Sequence, residues 1–190
     1  MRSLSWQTRI YAFFLTLLMT SLLEANVMMI DDFEPGSKVN WEYLSDQVMG
    51  GVSEGSARVG TDNETGNAYA HMTGNVSTDN NGGFIQLRAR LQSGVGKDMS
   101  GIYLRARGNN EKYYIHLRTR GTMLPWQYYQ AEFEVTDQWQ VFRLPLVDFS
   151  PSGSWLSKSP KPKSIRSVGI VAYGRDHLAS IDVDEIGFYD

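Results

Sequence analysis

The feature that most restricts the fold is a two-residue alternation of apolar and polar side chains, repeated in short runs along the chain. In Gly83–Leu91 (GFIQLRARL), Ile85, Leu87, Ala89 and Leu91 fall on one face, with Gln86, Arg88 and Arg90 on the other. Gly101–Arg107 (GIYLRAR) sets Ile102, Leu104 and Ala106 against Tyr103, Arg105 and Arg107. Lys112–Arg120 (KYYIHLRTR) sets Tyr113, Ile115 and Leu117 against Tyr114, His116 and Arg118. Such a period belongs to strands with one face on a core and the other toward water or a ligand. Further runs lie at Gln127–Val135, Gln138–Leu144, Ser164–Ala172 and Ala179–Phe188, with fainter ones at Val27–Phe33, Val39–Leu44, Ser56–Val59 and Asn67–Met72. Gly, Asn, Asp and Pro clusters separate them, and no helical period intervenes. The expected fold is all-β: an antiparallel two-sheet sandwich.

Two details refine that expectation. Val147–Lys163 has no period and is rich in Ser, Pro, Gly and Lys, which reads as a surface loop within the domain. In the last run Ile181 and Val183 are in phase, whereas Ile186 and Phe188 are one residue out. A β-bulge near Asp184-Glu185 would restore the inward face.

The first 25 residues form a separate unit. Arg2 and Arg9 precede an apolar run from Ile10 to Leu23, too short for the roughly 20 residues of a spanning helix. The expectation is a signal peptide over 1–25 that exports a domain of residues 26–190 to a periplasmic or secreted location. Membrane contact is expected only through an uncleaved leader. With 18 basic and 21 acidic residues, the net charge of −3 gives no footprint for nucleic acid. No cysteine is present, so disulfides and thiolate chemistry are excluded.

The most unusual segment is Asn40–Gly55. Trp41 and Tyr43 end a strand, Asp46 follows, then Met49 and the pair Gly50-Gly51. Adjacent glycines permit positive φ or close backbone approach. No lysine follows in phosphate-loop register. The segment is therefore either a binding loop or a tight connection that packs Val48 and Met49 beneath the sandwich.

A second candidate is the polar face of the central strands: Arg88, Arg90, Arg105, Arg107, Tyr114, His116, Arg118, Tyr128 and Gln130. If these strands are neighbours, guanidinium groups and aromatic rings share a surface suited to sugars, carboxylates or a protein partner. The plain alternative is a solvated face paired with Glu132 and Glu134. Asp32, Glu34, Asp182 and Asp184 are hard oxygen ligands near the domain's two ends, suited to a structural calcium ion if they converge. No other cofactor is expected. His71, His116 and His177 have neither metal-ligand spacing nor a nucleophile motif beside them, so no catalytic residue is assigned.

The run WEYLSDQVMGGVSEG at residues 41–55 resembles the signature of the complex I intermediate-associated protein 30 family. The resemblance continues through Gly83-Phe84, Tyr114–Arg118, Trp126–Phe133, Trp139–Leu146, Asp148-Phe149 and Ser167–Ile170. It implies a galactose-binding-like jelly roll close to many carbohydrate-binding modules. It also implies a chaperone-like role in assembling respiratory complex I in mitochondrial members, with no catalytic residues. The function expected is a non-catalytic binding module with a protein partner, used in complex assembly. The alternative is an exported carbohydrate-binding module.

Overall fold

The computed structural model describes residues 26–190, so the expected leader over residues 1–25 lies outside the described residues. Twelve strands follow in order: β1 (Val27–Asp31), β2 (Trp41–Ser45), β3 (Glu54–Thr61), β4 (Ala68–Val76), β5 (Phe84–Arg90) and β6 (Gly101–Gly108). The second half holds β7 (Lys112–Thr119), β8 (Tyr129–Glu134), β9 (Gln140–Pro145), β10 (Ser150–Pro151), β11 (Ile165–Tyr173) and β12 (His177–Tyr189). Each alternating run of the sequence becomes a strand. β10 is the exception, a two-residue strand inside the stretch expected to be loop throughout, where Ser150 and Pro151 pair with Gln130 and Tyr129.

Two antiparallel six-stranded sheets face each other. One runs β3-β4-β12-β6-β9, with β1 paired to the end of β12; the other runs β10-β8-β7-β11-β5-β2. Ile85, Leu87, Ala89, Tyr113, Ile115, Leu117, Val168, Ile170 and Ala172 point inward from the second sheet. Met72, Ile102, Leu104, Ala106, Ile181, Val183, Ile186 and Phe188 meet them from the first, and all are buried. Each large aliphatic or aromatic side chain so buried contributes roughly 1.5–3 kcal/mol, which fixes register because a one-residue slip would expose a whole face.

The bulge lies where the phase change requires it. Against β6 the register steps from Val183↔Ala106 to Glu185↔Arg105 and skips Asp184. The extra residue returns Ile186 and Phe188 to the core.

One expectation about neighbours is corrected. β6 and β7 are joined by a short turn but lie in opposite sheets. Arg105 and Arg107 therefore do not share a surface with His116 and Arg118. Inward and outward faces follow from alternation, whereas sheet membership does not.

Candidate functional site

The outer face of the second sheet carries a groove of about 480 Å³, within the usual range for ligand pockets. Strand pairing sets its floor. Glu42 lies opposite Arg88, Arg88 opposite Gly169, Gly169 opposite His116, and His116 opposite Gln130. In the adjacent row Arg90, Ser167 and Arg118 stand side by side. Gly169 and Ser167 add little bulk, so the surface dips between the arginines of β5 and the side chains of β7.

An aromatic cluster forms one side. The Tyr128 ring stacks on His116 with centroids 4.0 Å apart and planes 10° apart. Tyr173 meets both edge-on, at 5.6 Å from His116 and 6.3 Å from Tyr128. Offset and edge contacts of this kind hold rings rigidly. His116 is deeply buried here, and burial pushes its pKa down to about 4, so the imidazole is neutral at physiological pH. Its Nε2 and the neighbouring Gln130 Oε1 are buried and have no hydrogen-bond partner. Burial, and then the hydroxyl of Tyr173, raises the Tyr128 phenol well above its ordinary value.

Two loops form the walls. The β7–β8 loop is tied to the sheet by Arg118, whose guanidinium donates to Leu124 O (2.7 Å) and Pro125 O (3.2 Å). Trp126 stands at its rim, 63% exposed. Opposite is the 3-10 turn Asp46–Met49, which presents Val48 and Met49 outward at 72% and 57% exposure. These two side chains line the groove and do not pack beneath the sandwich.

Asp46 explains why that turn has its shape. Its carboxylate is fully buried and accepts from the Ser53 N–H (2.9 Å), the Ser53 hydroxyl, the Gly83 N–H and the Phe84 N–H (3.2 Å). Burial alone would raise its pKa, but the donors from Gly83 and Ser53 outweigh it and hold the acid below its ordinary value. A Cβ at Gly51 would lie 2.3 Å from Asp46 Cγ, and one at Gly82 2.4 Å from Asp46 Oδ2. Only glycine lets the backbone wrap this carboxylate so closely. Gly50 closes the turn at φ 92°.

The expected site residues therefore divide. Met49, His116, Arg118 and Tyr128 line one groove, Gln130 adjoins its floor, and Asp46, Gly50 and Gly51 build its wall. Trp41 lies elsewhere, with its indole N–H on Asp31 Oδ2 (2.7 Å) and its ring against Phe33. Arg105 is on the other sheet, where it pairs with Asp184 and lies over Trp139, 4.9 Å from the ring centroid.

The four acids read as calcium ligands are engaged separately. Asp182 bonds His71 Nδ1 (2.6 Å) and Arg107 Nε (2.9 Å), Asp184 bonds Arg105, and Glu34 accepts from the Ala68 N–H (2.8 Å). Asp32 Oδ1 accepts from the Glu34 N–H at 3.2 Å. Among the described residues no three His, Asp or Glu side chains are grouped to hold a metal ion. Arg105 and Arg107 of β6 pair with Asp184 and Asp182 of β12.

Phe84, Gln86, Trp126, Ser167, Gly169 and Tyr173 also line the groove and were not among the expected site residues. A signal for two of them was present. Ser167 and Gly169 are small residues on the outward phase of an otherwise apolar strand, and glycine inside a strand marks close approach.

The class of fold is a jelly-roll sandwich of two antiparallel sheets, with a groove across one of them. The chain belongs to the complex I intermediate-associated protein 30 (CIA30) family, whose model matches residues 32–181. No curated protein matches it. Among solved structures it is similar to the family 11 carbohydrate-binding module of the cellulosomal cellulase Lic26A-Cel5E of Clostridium thermocellum. That likeness has 18% identity and a TM-score of 0.68, and covers 86% of this chain and 94% of that one. A family 11 module from Clostridium thermocellum in complex with a β-1,3-1,4-mixed-linked tetrasaccharide matches at 17% identity and TM-score 0.67, over 85% and 94% of the two chains. A family 30 carbohydrate-binding module matches at 12% identity and TM-score 0.52, over 70% and 73%. At these identities the likeness is one of fold.

Proposed function

We propose that the chain is a non-catalytic binding module that assists assembly of a protein complex of respiratory type, holding a partner subunit in the groove of the second sheet. The observation that carries this reading is the family match over residues 32–181. The groove adds a physical site: an aromatic side, an exposed apolar rim and two guanidinium groups, with no carboxylate in the lining to form an acid–base pair. With residues 1–25 acting as an export leader, the module works beyond the cytoplasm, on a partner exposed there.

Deletion of the gene tests it, with the membrane complexes read on native gels. Lost or stalled assembly of a respiratory complex is expected, restored by the native chain but not by Gly169→Leu, which fills the groove floor. Normal assembly in the deletion strain overturns the proposal.

A second reading has its own support. The fold is shared with carbohydrate-binding modules, one of them solved with a mixed-linked tetrasaccharide, and the Tyr128–His116 stack resembles a sugar platform in chemistry. Thermal stabilisation by that tetrasaccharide at millimolar concentration supports this reading, and no shift rejects it.

A further inference from the structure

The chain as a whole is acidic, with 21 acidic and 18 basic residues. Its groove is the reverse: Arg88 and Arg118 line it, and no Asp or Glu does. Arg90 adds a third guanidinium in the same row as Ser167 and Arg118. Glu42 engages one nitrogen of Arg88 (2.9 Å) from a half-exposed position. Arg90 and Arg118 form no salt bridge with any described residue; the partners of Arg118 are neutral carbonyl oxygens. Burial, and then the charges of Arg88 and Arg90, hold the Arg118 pKa below its ordinary value, as expected where like charges crowd without a counter-ion. Only the small residues Ser167 and Gly169 lie on the strand between those that carry these arginines, so Arg88 and Arg118 line one groove with no bulky side chain of β11 between them.

The rim adds a second constraint. Val48, Met49 and Trp126 are exposed beside the groove, and the loop carrying Trp126 also exposes Met123 (85%) and Leu124 (42%). Val48, Met49 and Leu124 add irregular, non-planar apolar contacts beside the aromatic rings. They suit the adaptable apolar contacts of a protein surface.

We infer that the groove takes an extended segment of a protein partner that presents an Asp or Glu carboxylate beside large apolar side chains, with the acid between Arg88, Arg90 and Arg118. This rests on the groove being the binding face proposed above and names its ligand. Planar guanidinium groups grip a carboxylate bidentately, and the apolar flanks bury the thioether and indole rims.

A displayed random heptapeptide library, panned on the full chain, tests the inference. The selected peptide is then measured beside its Asp→Asn or Glu→Gln counterpart, with trigalacturonate and the neutral mixed-linked tetrasaccharide as further probes. Expected are peptides with an acid next to Leu, Phe, Met or Trp. Binding should fall at least tenfold in the amide counterpart, and equally in an Arg88→Gln/Arg90→Gln chain that melts like the native one. Selected peptides without an acid, still excluded by Gly169→Leu, keep the groove and overturn the acidic ligand. Binding of trigalacturonate with no peptide enriched overturns the inference in favour of an acidic glycan. Peptides bound equally by the Gly169→Leu chain overturn both the inference and the groove.

Discussion

Replacing Asp46 by Asn separates a structural reading of the glycine turn from a binding one. The carboxylate serves four donors. Oδ2 takes the Ser53 hydroxyl and the N–H groups of Gly83 and Phe84, while Oδ1 takes the Ser53 N–H. An asparagine keeps most of this by turning its oxygen to the Oδ2 position, but its NH2 then faces the Ser53 N–H. One buried donor is left unsatisfied, which costs about 1–3 kcal/mol, and the remaining bonds lose their charge assistance. The expected loss is about 3 kcal/mol, or a Tm lower by roughly 6–12 °C for a domain of this size. The acid's pKa is lowered on folding, so its stabilisation is complete above the ordinary carboxylate value of about 4 and is lost as pH falls through the folded value. Urea titrations at pH 7 and pH 3 should therefore show the Asn variant far weaker at pH 7, with the gap narrowing at pH 3. A variant within 0.5 kcal/mol of the native chain at pH 7 would refute the view that this buried carboxylate builds the groove wall.

Other outcomes follow from the same structure. His116 should give a second, separate acid limb: its pKa falls from 6.5 to about 4 on folding, so about 3 kcal/mol is present above pH 6.5 and lost as pH drops through 4. A His116→Gln chain should lack that slope in equilibrium unfolding. Asp184 acts with the opposite sign, since burial raises its carboxyl to about 6 against the pull of Arg105. Its contribution is full below pH 4 and lost as pH rises through 6, so Asp184→Asn should gain stability more steeply than the native chain between those limits. Trp41→Phe removes the indole donor to Asp31 and should cost about 1–2 kcal/mol in denaturant without altering ligand binding in the groove.

Much of this molecule was legible in its residues because alternation is imposed by the pleat itself. β5, β6 and β7 run where their apolar phase placed them, and the phase change in the last run gave the bulge at Asp184. What alternation does not encode is which sheet a strand joins. Arg105 and Arg118 have the same local pattern, yet the turn after β6 carries the chain across the sandwich and parts them. Acidic residues near both termini looked alike in sequence, but pairing of β12 with β6 brings arginines to Asp182 and Asp184. Asp46 stood among the candidate binding residues, and the adjacent Gly50-Gly51 marked a close backbone approach. That the carboxylate is buried in the groove wall depends also on Gly82 and Gly83, more than thirty residues away, which no local pattern could show. Tyr173 joined the site through long-range register alone.

On the proposed reading, the outer face of the second sheet, across Gly169 and beneath Tyr128, holds the partner. A photo-crosslinking residue placed at Trp126 on the groove rim, and in a separate chain at Tyr69 on the outer face of the first sheet, tests it most directly. Expected is one defined crosslinked partner from position 126, abolished by Gly169→Leu, and none from position 69. The same partner captured from position 69, or capture at 126 that survives Gly169→Leu, would contradict it.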